Sequence, residues 1–205
     1  MTASADARCM ALALGMARRG LGQTAPNPCV GAVIVNDDTV LAVARTNAGG
    51  RPHAETEALG RAGEAARGAT LYVTLEPCAH HGRTPPCAEA IIAAGIARVV
   101  AGITDPDARV AGQGLARLRA AGVRVDVGQS AAACLGQLAG HVLRVTAGRP
   151  LVTLKVAVDA DGRVAAGTGA PVWVTGETAR AHGQLLRARS EAIVVDHTYT
   201  AKALA

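Results

Sequence analysis

The chain predicts a mixed α/β sandwich whose second half is largely parallel, and three observations predict it. Two short apolar runs, residues 30–35 and 40–44, are separated only by Asn36-Asp37-Asp38-Thr39, which is a hairpin pattern. After them, helix-like and strand-like segments alternate to about residue 127, as they do where crossover helices join parallel strands. Half of the 205 residues are apolar but only 1% are aromatic, with no Phe, so Ala, Val, Leu and Ile must fill the core.

Each element has its own signal. Residues 4–21 read as a helix, with Ala, Leu, Met and Cys at helical spacing, closed by Arg18-Arg19-Gly20. Thr24-Ala25-Pro26-Asn27-Pro28 is a rigid loop, because each proline fixes its own φ and restricts the residue before it. Pro52 suits a helix start, which makes residues 53–63 a helix with His53 in its first turn. Residues 69–75 form a strongly apolar strand halted by Glu76-Pro77. A helix follows from Cys87 to about Ala94, between Pro86 and Gly95. Then come a strand at 98–104, a helix at 114–121 and a strand at 123–127. Ser130 is an N-cap candidate for one helix reaching about Val145.

Thr146-Ala147-Gly148-Arg149-Pro150 marks a break, dividing the chain into residues 1–147 and 148–205. Beyond it, strands are expected at 151–158, 172–175 and 192–195, with an amphipathic helix at 177–189. Two or three strands and one helix are too little to enclose a second core. The chain stops within what reads as a βαβ alternation.

Composition narrows the function. The net charge of +5 suits a phosphorylated ligand, but the basic residues are scattered rather than clustered. Only Tyr72, Trp173 and Tyr199 could stack on bases, which argues against a nucleic-acid partner. No run reaches membrane-spanning length and no secretory signal opens the chain, so the cytoplasm is the expected compartment and no membrane partner is expected. The odd count of five cysteines fits a reducing compartment, where paired thiols signal metal or catalysis more than disulfides.

Chemistry concentrates in His53-Ala54-Glu55 and in the run from Leu75 to Cys87, which together hold two thiols, three imidazoles and two carboxylates. A catalytic zinc needs three protein ligands and an open position. Cys87 follows Pro85-Pro86 at a helix start and Cys78 follows Pro77 at a strand end, positions better suited to ligation than to core packing. His53 supplies the third ligand. Cys9, Cys29 and Cys134 lie among apolar neighbours and read as core. A zinc-activated water needs a carboxylate to carry its proton. Glu55 and Glu57 are the candidates, and helical spacing slightly favours Glu57, four residues from His53. Asn27 could reach a ligand from its loop or brace the turn.

The pattern H-x-E followed by P-C…C resembles the zinc deaminases, in which the Glu is an acid/base and not a ligand, and this resemblance selects Glu55. Their usual P-C-x-x-C spacing is replaced here by eight residues between Cys78 and Cys87. Thr74-Leu75-Glu76-Pro77-Cys78 with His80-His81-Gly82-Arg83-Thr84-Pro85-Pro86-Cys87 resembles the pyrimidine deaminase domain of the bifunctional riboflavin-biosynthesis deaminase/reductase. Asn27-Pro28 with Val30-Gly31, and Asp105-Pro106 with Gly112-Gln113-Gly114, are similar to it as well.

The resemblance covers roughly residues 5–146. It implies a three-layer α/β/α, cytidine-deaminase-like fold with a mixed five-stranded sheet. It implies Zn2+ held by His53, Cys78 and Cys87, with Glu55 as the proton carrier and Asn27 and Arg83 contacting substrate. His80 and His81 then shape the loop or face the substrate. The implied reaction converts 2,5-diamino-6-ribosylamino-4(3H)-pyrimidinone 5′-phosphate to the pyrimidinedione, with release of ammonia. A homo-oligomer is a possible state.

Ala42, Ala44 and Thr46 replace a G-x-G-x-H stretch of that family, so a substrate-side His is a Thr here. Residues 149–195 resemble the opening of the NADPH-dependent reductase domain, through Arg149-Pro150-Leu151, Asp161-Gly162-Arg163 and Arg187-Ala188-Arg189-Ser190. Asp159, Pro171, Asp196 and Tyr199 depart from it, and the expectation is an incomplete segment without reductase activity. Two rival readings are a tRNA base deaminase and a catalytically silent truncated subunit.

Overall fold

The computed structural model describes residues 3–80, 85–163 and 175–195. The chain divides into two compact units, Met1–Leu151 and Val152–Ala205.

The first unit begins with α1 (Ala3–Arg18), shorter than expected because the Arg19 and Gly20 amides already turn back onto Met16 and Ala17. β1 (Gly31–Asn36) and β2 (Thr39–Arg45) form the expected hairpin. Asp37 enters the turn at φ 49°, a conformation that Asp tolerates and that two-residue hairpin turns require. Next come α2 (Ala54–Ala62), β3 (Thr70–Val73), α3 (Cys87–Ala93), β4 (Arg98–Ala101), α4 (Gln113–Ala120) and β5 (Arg124–Val127). The sheet order is β2-β1-β3-β4-β5. β1 runs antiparallel to β2 and β3, whereas the β3–β4 and β4–β5 pairs are parallel. This is the mixed five-stranded sheet that the resemblance implied.

Side chains alternate across that sheet. Val33, Tyr72 and Val100 are register partners, and the Tyr72 hydroxyl donates to Asp6 of α1, so this face belongs to α1. Gly31 lies on the same face. A Cβ there would stand 1.9 Å from the Ala13 carbonyl oxygen, so only glycine lets α1 pack this closely. Ala32, Val73 and Ala101 point to the opposite face, which α2, α3 and α4 cover. Both faces are therefore buried, and small and branched aliphatic side chains fill them, as the composition required.

The single helix expected from Ser130 is two. α5 (Ala131–Gln137) and α6 (Ala139–Ala147) meet at Leu138, which leaves helical geometry at φ −96°, ψ 11° while staying buried. Ser130 precedes α5 in a left-handed conformation, and its side chain makes no cap bond. Among the described residues, no helix is long and apolar enough to cross a membrane.

The second unit carries α7 (Glu177–Ala188), where a helix was expected. Residues 151–158 and 192–195 are irregular rather than strands. A strand needs a hydrogen-bonding neighbour, and among the described residues nothing pairs with either segment. Val152, Leu154, Val156, Ile193 and Val194 consequently stay exposed. Of the strand expected at 172–175, only Thr175 lies within the described residues.

Candidate active site

Three segments converge at one end of the sheet in the first unit. His53 is not in a helical turn. It is the N-cap of α2, with extended backbone at φ −67° and ψ 158°, and Pro52 lies just outside the helix. Cys78 follows the end of β3, and Cys87 is the first residue of α3, behind the Pro86 N-cap. The Cys87 amide donates to Cys78 Sγ at 3.3 Å, tying the two thiol-bearing segments together.

One ligand atom from each of His53, Cys78 and Cys87 lies within 4.8 Å of the other two. His53 Nδ1 is 3.3 Å from Cys87 Sγ and 3.7 Å from Cys78 Sγ. Tetrahedral zinc with ordinary bond lengths would separate a nitrogen and a sulfur ligand by roughly 3.6 Å. The donor set, two soft thiols and one imidazole, is also that of zinc. The residues fit the ion.

The electrostatics agree with a cation site. The Cys78 thiol is held down to about 4, by the hydrogen bond from the Cys87 thiol first and by His53 and the Cys87 amide after it. The same shared proton, together with burial, pushes the Cys87 thiol up. Contact with Cys78 raises the His53 imidazole against the effect of its own burial. Two thiols thus compete for one proton in a space where a divalent cation would suit both as thiolates.

Glu55 is 4% exposed and lies with His53 and Cys78 in the wall of a cavity of about 670 Å³. Burial, opposed by the nearby His53, pushes its carboxyl up to about 7. A carboxyl poised there can both take and give a proton at neutral pH. Glu57 points elsewhere, bonded to Arg61 at 2.7 Å on the outside of α2.

Asn27 lines the cavity and donates to the Gly50 carbonyl at 2.8 Å, with its amide 3.4 Å from His53 Nε2. It braces the loop before His53, and it also faces the space a ligand would occupy. Thr46 lines the cavity too, but its hydroxyl accepts from the Val30 amide and donates to the Pro28 carbonyl. That hydroxyl is committed to holding the hairpin against the loop. His80 is a cavity residue outside the ligand cluster. Arg83 and His81 lie outside the described residues.

Two parts of the site went unassigned in the sequence. Glu76 is 5% exposed and accepts four backbone N–H groups, from Asp105, Gly112, Gly114 and Leu115. It fastens the loop 105–112 and the start of α4 beside Cys78. Gly114 permits this closeness, because a Cβ there would sit 1.8 Å from the Pro77 carbonyl oxygen. A carboxylate directly after an apolar strand and before a proline was the available signal. The other part is α6, whose His141, Arg144 and Val145 line the same cavity; no spacing rule singled them out.

Comparison with known proteins gives the same picture. Residues 3–103 match the cytidine and deoxycytidylate deaminase zinc-binding region, and residues 150–202 match the RibD C-terminal domain. The riboflavin biosynthesis protein RibD of Escherichia coli is 50% identical over 185 residues, covering 90% of this chain and 50% of that protein. The solved structure of Acinetobacter baumannii RibD superposes with a TM-score of 0.85 at 45% identity, over 92% of this chain and 53% of the other. A Thermotoga maritima structure described as a diaminohydroxyphosphoribosylaminopyrimidine deaminase/5-amino-6-(5-phosphoribosylamino)uracil reductase gives 0.81 at 38% identity, over 89% of this chain and 53% of the other. The chain spans about half the length of the curated relatives it matches. With the deaminase zinc region in its first part and the RibD C-terminal match after it, the chain belongs to the RibD family.

Proposed function

We propose that this chain hydrolytically deaminates 2,5-diamino-6-ribosylamino-4(3H)-pyrimidinone 5′-phosphate to the corresponding pyrimidinedione nucleotide and ammonia, within the cytoplasm. The observation that carries the reading is the cluster of His53, Cys78 and Cys87, two of whose members, His53 and Cys78, share a cavity wall with Glu55. Residues 1–147 are the deaminase domain in this reading, and residues 148–205 an incomplete reductase-like part.

His53, Cys78 and Cys87 would hold zinc, and the family's matched region supports that ion. Bound zinc supplies a water acidic enough to act as nucleophile at neutral pH. Glu55 would take one proton from the attacking water and place it on the ring nitrogen, as the new C–O bond forms at the carbon bearing the exocyclic amine and opens its C=N bond. It would then carry the hydroxyl proton of that adduct to the exocyclic nitrogen as the C–N bond breaks, so a carbonyl remains and ammonia leaves. Burial raises its carboxyl, toward the range in which one group can both take and give a proton. Asn27 faces the ring from the loop mouth. Arg83 is assigned to the phosphate or ribose, for which a forked guanidinium is apt. The scarcity of aromatic residues favours a free nucleotide over a base in RNA. The reductase step is not assigned to this chain, because among the described residues the segments 151–158 and 192–195 form no strand pairs.

The test is ammonia release from the diaminopyrimidine nucleotide, with zinc measured in the same sample. Wild type is expected to turn over with near one equivalent of zinc and to leave added NADPH unoxidised. Glu55→Gln is expected to keep its zinc and lose at least about 10²-fold in rate. A fully active Glu55→Gln, or deamination of tRNA but not of the nucleotide, would overturn the assignment.

A further inference from the structure

The chemistry above uses His53, Glu55 and Cys78 and leaves one part of the cavity lining without a role. That part is α6. His141 lines the same space as His53 and Glu55, yet its side chain is only 10% exposed. Its neighbours identify its tautomer. Nδ1 lies 3.4 Å from a guanidinium nitrogen of Arg144, and arginine has donors only, so Nδ1 accepts and the proton sits on Nε2. Nε2 is buried and has no hydrogen-bond partner. Asp105 Oδ1 stands 3.5 Å from it without a hydrogen bond, and accepts from the Asp107 amide at 2.9 Å with a lone pair to spare.

A buried donor with no acceptor is costly, and native structures retain one mainly where a ligand or water completes it. The position next to Asp105 says which ligand atom fits. A phosphate oxygen there would meet the carboxylate's charge. A hydroxyl would accept from Nε2–H and donate its own proton to the carboxylate, satisfying both sides. We infer that His141, paired with Asp105, forms the subsite for a sugar hydroxyl of the ligand, with Arg144 fixing the tautomer that makes it a donor. This rests on the nucleotide-deaminase reading, since the sugar is that ligand's.

Calorimetric titration of the zinc-loaded chain tests it with three ligands: the deaminated nucleotide, the same nucleoside without phosphate, and the free diaminouracil base. His141→Ala is expected to weaken the nucleotide and the nucleoside about tenfold each and to leave the base unchanged. His141→Gln, which keeps a donor and the zinc content, is expected to recover at least half of that loss on a logarithmic scale. Equal weakening of all three ligands would make His141 a structural residue and overturn the inference. So would unchanged binding of the nucleotide, or an effect that disappears with the phosphate. A wild-type chain that binds none of the three would instead overturn the deaminase reading itself, and this inference with it.

Discussion

Glu55 stands two residues after a candidate zinc ligand, and the backbone across that interval decides which carboxylate can serve the site. On an ideal helix, two residues turn about 200° and four residues return to the same face, so Glu57 would share His53's side. His53, however, is the extended N-cap of α2 rather than its first turn, and the helical count does not begin until Ala54. Glu55 therefore falls into the cavity while Glu57 pairs with Arg61 outside it. No spacing argument could have placed this, because the loop that leads into a helix, rather than periodicity, sets the geometry of its cap. The pattern H-x-E, taken as a family likeness, carried the information that the wheel lacked. Glu57→Gln is expected to change ammonia release less than about twofold, and stability by no more than about 0.5 kcal/mol, as for an exposed i,i+4 pair. Steady-state kinetics beside a urea titration would check both.

At the scale of elements, the sheet and most helices were legible because their periodicities are strong, from the hairpin 30–44 to the strands around residues 71 and 99. Three kinds of feature were not. The kink at Leu138 interrupts a continuous helical pattern and follows from packing that buries that side chain. The apolar run 151–158 has strand composition but no partner among the described residues, and composition alone cannot supply one. The third is Glu76, whose four N–H bonds join the end of β3 to the loop 105–112 and to α4, contacts 29 to 39 residues apart in the chain. Sequence shows a carboxylate but not which amides will reach it. Glu76→Gln would turn an NH2 donor toward amides that need an acceptor, leaving at least one buried N–H unpaired. The expected cost is about 2–4 kcal/mol, together with a higher KM, since Asp105 and Cys78 lose a shared anchor. Urea unfolding and saturation kinetics on one preparation would separate the two effects. Loss of stability with unchanged KM would mean that the anchor serves folding alone.

Across the whole first unit, one charged network links elements that are remote in the chain. Arg98 on β4 donates to both oxygens of Asp6 on α1, at 2.9 and 2.8 Å, and to Asp126 on β5 at 2.7 Å. The Tyr72 hydroxyl on β3 donates to the same Asp6 at 2.6 Å. The chain's amino-terminal helix is thereby bound to three strands on the side of the sheet away from α2. Arg98 holds the Asp6 carboxyl below the ordinary carboxylate range, with Tyr72 helping against the cost of burial. A carboxyl whose folded-state pKa is depressed contributes stability above its unfolded pKa and loses it as pH falls through the folded value. The contribution is thus complete at neutral pH, begins to fall near pH 4, the unfolded carboxylate range, and is lost as pH drops through the lower folded value. Asp6→Asn keeps the shape but removes the charge that Arg98 and Tyr72 address. It is expected to destabilise by about 2–3 kcal/mol at pH 7, a value typical of hydrogen bonds to a charged group. The gap to wild type should close as pH drops below 4, because wild type then loses the same charge. Protonation of the zinc ligands in acid affects both proteins alike, so it cancels in the difference. Urea denaturation of the pair across pH 3 to 7 measures that difference directly, and a gap that stayed constant down to pH 3 would remove Asp6 from the ionic framework of the fold.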